Sequence, residues 1–283
     1  MILIKTAKQA GDLVKTYRKK GNSIGFVPTM GALHQGHITL IKHCKKNTDI
    51  CICSIFVNPT QFNNKADFEK YPVTIDNDID MLEASGCDVL FLPTVKEMYP
   101  ANAIAFHFKL GYLEKILEGK YRPGHFQGVC QVVDKLLSIV TPDILFIGQK
   151  DYQQCMVIKK LVQLKKYPVK IEIVPTIREK SGLAMSSRNM RLTKAEKINA
   201  VNISKTLLQI KDNIKPGDIT ILKNSAKQKL DAAGFKTDYV EIANAGTLKI
   251  IETWDGKTPL VALVAAYLNE IRLIDNMLIN PQA

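Results

Sequence analysis

Two histidines stand three residues apart in a loop that also contains two glycines. The segment 27–37 has the sequence VPTMGALHQGH, and its histidines are His34 and His37. Gly31 and Gly36 let a ligand approach the backbone closely, and a helix beginning here would present unpaired N–H groups. Imidazoles at such a helix end could stabilise negative charge on a phosphate. A structural histidine pair or part of a zinc site would show the same spacing, so the loop alone leaves three interpretations open.

Four further loops combine polar side chains with glycine or proline turns. They are 56–63 (FVNPTQFN), 121–128 (YRPGHFQG), 147–154 (IGQKDYQQ) and 184–189 (AMSSRN). Their side chains are suited to binding small polar or anionic substrates. They include amides, an Arg–His pair, a lysine at a strand-to-helix turn, and hydroxyls beside a guanidinium. Each loop taken alone is also typical of ordinary Asx- and ST-turns. Their combined weight therefore depends on where the fold places them.

The loops separate segments in which strands and helices alternate. The segments predicted up to residue 174 are a helix at 6–20 with Thr6 as N-cap, a strand at 23–27 broken by Pro28, a helix at 37–46, a strand at 49–57, a helix at 75–85, a strand at 88–92, a helix at 127–140, a strand at 143–147, a helix at 151–165 and a strand at 169–174. This alternation predicts a doubly wound α/β domain with a parallel sheet. Ligands bind such sheets at the carboxyl ends of the strands.

The texture of the sequence changes after Pro175. Helices at 193–212 and 218–233 precede short strands at 237–243 and 258–268. We therefore predict a Rossmann-like domain at 1–176 and a smaller α+β domain at 177–283.

The net charge of the 283-residue chain is +12. Such an excess fits either a polyanionic partner or a solvated, lysine-rich surface. Much of it lies in helical segments such as 17–20 and 159–166, and no RNA-recognition or zinc-finger pattern accompanies it. We therefore expect a solvated surface and no nucleic-acid partner.

The sequence also indicates where in the cell the protein is located. No apolar stretch approaches the roughly 20 residues that span a bilayer, and the N-terminal MILIKTAKQAGDL lacks the pattern of a secretory signal. We therefore expect a cytoplasmic protein without a membrane partner. The six cysteines include no CxxC pair, so we expect reduced thiols rather than a disulfide or zinc scaffold.

Longer sequence motifs restrict the range of reactions that the protein could catalyse. Five such motifs occur along the chain: FVPTMGALHQGH, FVNPTQF, YRPGHFQGV, GQKDYQQ and LAMSSRN. With these motifs, in this order and spacing, the chain closely resembles the pantothenate synthetase (pantoate–β-alanine ligase) family of the nucleotidyltransferase superfamily. The similarity extends from near residue 20 to past 190. The resemblance implies condensation of pantoate with β-alanine through pantoyl adenylate, using ATP and Mg²⁺ and releasing AMP and pyrophosphate. It also implies a homodimer and a C-terminal domain that closes over the active site.

The resemblance also implies roles for individual residues. His34, His37 and Lys150 would be catalytic residues that contact the phosphates. Gln61 and Gln154 would bind pantoate, and Gln61 would also bind β-alanine. The further ATP-binding residues would be Met30, Gly31, Ala32, Leu33, Gln35, Gly36, Gly148, Gln149, Asp151, Ile177, Met185, Ser186, Ser187 and Arg188. Phosphates and water would hold Mg²⁺, so no protein metal ligand is expected.

Three positions depart from the usual family pattern. Val73, Gln149 and Gln131 stand where Arg, Glu and Thr are common, and we expect activity to be retained. A related adenylyltransferase acting on a phosphate-bearing substrate is an alternative, but it would require more Arg or Lys in place of Gln61 and Gln154. A basic RNA-binding protein with a degenerate nucleotide fold is a second alternative, which the complete set of phosphate-facing residues disfavours.

Overall fold

The computed structural model describes residues 1–101 and 106–280. The chain forms two compact units. Unit 1 consists of Met1–Gln149 and Val157–Pro175, and unit 2 consists of Lys150–Met156 and Thr176–Ala283. The short segment 150–156 groups with unit 2, where Tyr152 Oη donates to the carbonyl oxygen of Ala245 at 2.7 Å.

Unit 1 is built on a parallel sheet of six strands. The strands are β1 (Ile2–Ile4), β2 (Ile24–Thr29), β3 (Ile50–Ile55), β4 (Val89–Phe91), β5 (Ile144–Gly148) and β6 (Lys170–Val174). The helices are α1 (Ala7–Lys19), α2 (Gln35–Asn47), α3 (Lys65–Glu69), α4 (Ile75–Ala84), α5 (Val95–Met98), α6 (Leu117–Tyr121), α7 (His125–Val140) and α8 (Tyr152–Lys165), of which α8 has its first residues, up to Met156, in unit 2. The strand order β1-β4-β3-β2-β5-β6 confirms the predicted doubly wound α/β fold.

The centre of the sheet is apolar, as the continuous run at 49–57 predicts. Residues 51–56 are all buried in and beside β3, because a central parallel strand is covered on both faces. The prediction that Pro28 ends the preceding strand is wrong, since β2 continues to Thr29 with Pro28 in register with Ser54. Proline is compatible with extended backbone, and the pairing of β2 with β5 ends at Phe26. All six cysteines are buried.

Side-chain caps mark the starts of helices α1 and α2, whereas α7 begins without one. Thr6 is the N-cap of α1 and forms a capping box with Gln9, which confirms the predicted start. Helix α2 begins at Gln35 rather than His37, because the ring of His34 caps it. Helix α7 begins at His125, directly after Gly124. The sequence patterns missed β1, α3, α5 and α6, which are too short to show a period.

Unit 2 packs two long helices against an antiparallel sheet. Its elements are α9 (Lys194–Asn213), β7 (Gly217–Asp218), α10 (Thr220–Ala232), β8 (Lys236–Asn244), β9 (Thr253–Trp254), β10 (Leu260–Leu268) and β11 (Ile271–Ile279). The three-stranded sheet has the order β11-β10-β8. Leu207, Leu230 and Ile242 belong to the core between helices and sheet and have no exposed surface. The sequence analysis missed β11, which supplies residues described below.

None of the helices in the two described ranges is long and apolar enough to cross a membrane.

Candidate functional site

The sheet of unit 1 changes winding direction between β2 and β5. From β2 the chain continues outward through β3 and β4, whereas from β5 it continues to β6 on the other side. Ligands of doubly wound sheets bind at such a switch point, outside the carboxyl ends of the strands. The loop 30–34 follows β2, and Gly148 ends β5. The fold therefore places two of the predicted nucleotide-binding segments at the expected edge of the sheet.

His34 and His37 are both attached to the first turn of α2. The Nδ1 of His34 accepts the backbone N–H of Gly36 at 3.1 Å, and the Nδ1 of His37 accepts the backbone N–H of His34 at 3.3 Å. The ring centroids are 4.0 Å apart. Because both Nδ1 atoms accept hydrogen bonds, the neutral form of each ring carries its proton on Nε2. Two Nε2–H donors at a helix N-terminus suit a phosphate oxygen.

A buried carboxylate that the sequence analysis missed holds the loop before these histidines. Asp78 of α4 accepts the N–H groups of Ala32 and Leu33 at 2.9 and 2.8 Å. Its own hydroxyl neighbour, Thr74, donates to it at 3.0 Å. An acidic residue in the first turn of a helix is common on electrostatic grounds alone, so the sequence contained no signal that separates this aspartate from Asp76.

Gln61 lies beside the same loop with its side-chain amide in a defined orientation. It is 8% exposed, and its Nε2 lies 2.7 Å from Sδ of Met30. The Nδ2 of Asn58 donates to Oε1 of Gln61 and to the carbonyl oxygen of Gly128, both at 3.1 Å. A carbonyl oxygen can only accept, so the orientation of Asn58 is fixed and the oxygen of Gln61 faces it. Gln61 therefore has its amide nitrogen as the donor toward Met30.

Asn58 is itself anchored on its other side. Its Oδ1 accepts the hydroxyl groups of Tyr99 at 2.8 Å and Thr60 at 3.0 Å. Burial raises the pKa of the Tyr99 phenol above its ordinary value, so this hydroxyl remains a donor at neutral pH. The sequence allowed either Asx-turn contacts or substrate recognition for the polar residues of this loop. Asn58 makes the Asx-type contacts, and these contacts orient Gln61.

In unit 2, Asn276 of β11 connects two segments that the sequence predicts to bind nucleotide. Its Nδ2 donates to the carbonyl oxygen of Lys150 at 2.8 Å, and its own carbonyl oxygen accepts from Nη2 of Arg178 at 3.3 Å. Arg178 also forms a bidentate pair with Asp275, at 2.6 and 3.0 Å. Paired hydrogen bonds of this kind fix orientation as well as distance. Residues 275 and 276 were not predicted as functional, because β11 was not predicted.

The Ser/Arg-rich loop follows a short hairpin of unit 2. The N–H of Met185 donates to the carbonyl oxygen of Ile177 at 3.0 Å and closes the hairpin. Ser186 then caps the 3₁₀ turn Ser187–Arg191, and its Oγ accepts the N–H of Arg188 at 3.3 Å. The ST-turn that the sequence allowed is therefore present. It fixes the backbone of the segment that the family resemblance assigns to ATP.

The remaining predicted residues have less defined surroundings. Gln154 is half-buried on α8 and Gln149 begins a 3₁₀ turn with Lys150. Of the departures from the family pattern, Val73 is 70% exposed, and Gln131 Nε2 lies 3.4 Å from the carbonyl oxygen of Phe106. Residues 1–101 and 106–280 contain no group of three or more His, Cys, Asp or Glu that could hold a metal ion.

Comparison with known proteins finds relatives along the whole chain. The family described as pantoate-beta-alanine ligase matches residues 2–278. A pantothenate synthetase from Cytophaga hutchinsonii is 45% identical over 282 residues, which are 99% of each chain. One from Aeromonas hydrophila is 43% identical over 282 residues, 99% of this chain and 98% of the relative.

Solved structures show the same similarity. Pantothenate synthetase from Thermus thermophilus has a TM-score of 0.90 and 34% identity, with coverage of 99% of this chain and 100% of that chain. Pantoate-beta-alanine ligase from Francisella tularensis, complexed with beta-gamma ATP and β-alanine, has a TM-score of 0.82 and 41% identity, with coverage of 98% and 97%.

Proposed function

Because the chain belongs to the pantoate–β-alanine ligase family, we propose that it condenses pantoate with β-alanine in an ATP-dependent reaction that yields pantothenate, AMP and pyrophosphate. The relative from Francisella tularensis, whose structure holds beta-gamma ATP and β-alanine, supports these two substrates. The observation that weighs most is the pair of imidazoles at the N-terminus of α2, beside the switch point of the sheet.

The first step forms the pantoyl adenylate. A carboxylate oxygen of pantoate attacks the α-phosphorus of ATP, and the bond from that phosphorus to the bridging oxygen of pyrophosphate breaks. Negative charge increases on the phosphate oxygens during this displacement, so positioning and charge stabilisation are the main tasks of the enzyme. His34 and His37 donate from Nε2 to phosphate oxygens, and the ammonium of Lys150 balances charge on the same phosphates.

The second step forms the amide. The neutral amine of β-alanine attacks the acyl carbon of the adenylate, the bond to AMP breaks, and the nitrogen loses a proton. Gln61 and Gln154 bind pantoate, and Gln61 also binds β-alanine. The donor orientation of the Gln61 amide suits carboxylate and hydroxyl oxygens, which are acceptors, and a buried donor rejects analogues that lack them.

The rest of the nucleotide is bound by short segments. Met30–His37 and Gly148–Asp151 surround the phosphates, Ile177 lies against the nucleoside, and Met185–Arg188 binds the triphosphate. Mg²⁺ accompanies ATP. Phosphate oxygens and water hold it, since Mg²⁺ usually keeps several waters and binds through substrate phosphates.

Two further properties complete the proposal. A cytoplasmic location agrees with the expectation from the sequence that the six cysteines stay reduced, because a reducing compartment disfavours disulfides. A homodimer is supported only by the family relationship, and analytical ultracentrifugation at micromolar concentration distinguishes it from a monomer.

The proposal is tested by isotope exchange between ATP and pyrophosphate. Purified protein with Mg²⁺ is assayed with and without pantoate, and β-alanine is omitted. Pantoate-dependent exchange is the expected result, because only reversible adenylate formation returns pyrophosphate to ATP. Exchange with another acid or with a nucleotide instead of pantoate would overturn the substrate assignment. Absence of exchange with every acid would contradict the adenylate chemistry.

A further inference from the structure

The carboxylate of Asp78 is enclosed by donors from the loop between β2 and α2. The residue has no exposed surface. Its Oδ2 accepts the N–H of Ala32 and its Oδ1 accepts the N–H of Leu33, while Thr74 Oγ1 donates to Oδ1. A buried carboxylate is tolerated only when hydrogen bonds compensate its lost hydration. The three donors provide that compensation, so the carboxylate and the loop depend on each other.

The backbone of this loop is unusual in a way that needs such support. Gly31 has φ of 80° and Ala32 has φ of 48°, and the left-handed region is unfavourable for alanine because of its Cβ. A Cβ at Gly31 would lie 3.1 Å from Oδ2 of Asp78 and from Cγ2 of Ile55. The conformation therefore combines local strain with close packing. Hydrogen bonds to the Asp78 carboxylate offset the strain at Ala32.

We propose that Asp78 is a positioning residue for nucleotide binding, which holds residues 31–33 so that His34 caps α2 in the arrangement that binds ATP phosphates. This inference rests on the proposed function. The N–H groups of Ala32 and Leu33 donate to Asp78, so these two residues shape the site rather than bind phosphate through their amides.

The test compares two carboxylates that both accept backbone N–H groups. Asp88 precedes β4, accepts the N–H of Cys51 at 2.7 Å and binds Lys45. It lies at the amino end of its strand, whereas the ATP loop follows the carboxyl end of β2. Asp78→Asn turns one acceptor into a donor that faces an N–H or a hydroxyl group. Asp88→Asn makes the same change at the opposite edge of the sheet.

In the pantoate-dependent exchange assay, Asp78→Asn is expected to raise the KM for ATP about tenfold or more, with the KM for pantoate changed less than about twofold. Amide hydrogen exchange at Ala32 and Leu33 should become faster in this variant. Asp88→Asn should lower the Tm and leave both KM values unchanged. Loss of folded protein alone would reduce the apparent kcat in either variant without this selectivity.

An unchanged KM for ATP in folded Asp78→Asn would overturn the inference and leave the proposed function intact. If Asp78→Asn does not fold, the Thr74→Val variant tests the inference instead. It removes one hydrogen-bond donor to the Asp78 carboxylate and keeps the backbone N–H donors of Ala32 and Leu33. A selective rise of about twofold to threefold in the KM for ATP supports positioning, and an unchanged value overturns it. A wild-type protein without pantoate-dependent exchange would overturn the proposed function and this inference together.

Discussion

The Nδ1 of His125 lies 2.7 Å from the backbone carbonyl oxygen of Gln61. A carbonyl oxygen only accepts, so the His125 ring carries a proton on Nδ1. Its Nε2 lies 3.2 Å from Nη1 of Arg122, which only donates, so Nε2 is the acceptor. Next to it, Gly128 packs so closely on the carbonyl of Thr60 that a Cβ would collide with it. The N-terminal turn of α7 therefore fixes the backbone of the predicted pantoate glutamine.

Replacing His125 should weaken pantoate binding more than ATP binding. His125→Leu leaves the carbonyl of Gln61 without its buried donor, which costs about 1–3 kcal/mol. We expect this free-energy cost to appear as a shift of Gln61 away from its binding position, so that the KM for pantoate rises about tenfold.

His125→Asn is the matched variant, because the asparagine amide nitrogen can donate from a position near Nδ1. We expect it to recover most of the pantoate affinity in the exchange assay. Equal effects of the leucine and asparagine variants would show that the hydrogen bond to Gln61 is not the cause.

His37→Ala should reduce the rate of adenylate formation by about a hundredfold or more if Nε2 stabilises charge on the phosphates. The ring also caps α2, and His37→Asn separates the two roles because its Oδ1 can accept the N–H of His34. Both variants should lose exchange activity, while His43→Ala, in the C-terminal half of the same helix, should retain it. Recovery of activity in His37→Asn would assign the residue a capping role only.

Gln154→Ala should raise the KM for pantoate about tenfold or more and change the KM for ATP much less, because one amide that binds a polar substrate is lost. Gln163→Ala is the control, since it removes an exposed glutamine from the same helix. Steady-state kinetics with each substrate varied in turn measures both constants. Parallel increases in the two KM values would contradict the assignment of Gln154 to pantoate.

Asp255 should make unit 2 sensitive to acid. Its carboxylate accepts the N–H groups of Thr258 and Lys257, and these hydrogen bonds lower its pKa to about 2. A pKa lowered by folding stabilises the folded state above the unfolded pKa of about 4, and this contribution disappears as pH falls through about 2. Asp255→Asn should therefore lower the Tm near neutral pH, with the difference from wild type closing over that window. A difference independent of pH would contradict this origin.

Much of the architecture is determined by local sequence. Thr6 with Gln9 three residues later fixes the start of α1, and the apolar run at 49–57 produces a fully buried strand. Alternation of these patterns is sufficient for a doubly wound sheet, because each pattern has one way to bury its apolar face. The short motifs likewise located the candidate loops, since parallel strands place their following loops at a common edge.

The tertiary structure decided which partners complete those loops. Asp78 stands 45 residues from the Leu33 N–H that it accepts, and Asp275 stands 97 residues from Arg178. No local sequence pattern predicts contacts between residues so far apart in the chain. An aspartate in a helix or an edge strand also has many ordinary roles. The orientation of the Gln61 amide is also a tertiary property, because the carbonyl of Gly128 and the amide of Asn58 determine it together. The sequence by itself determined the elements and the candidate chemistry, while long-range hydrogen bonds fixed the direction of each group.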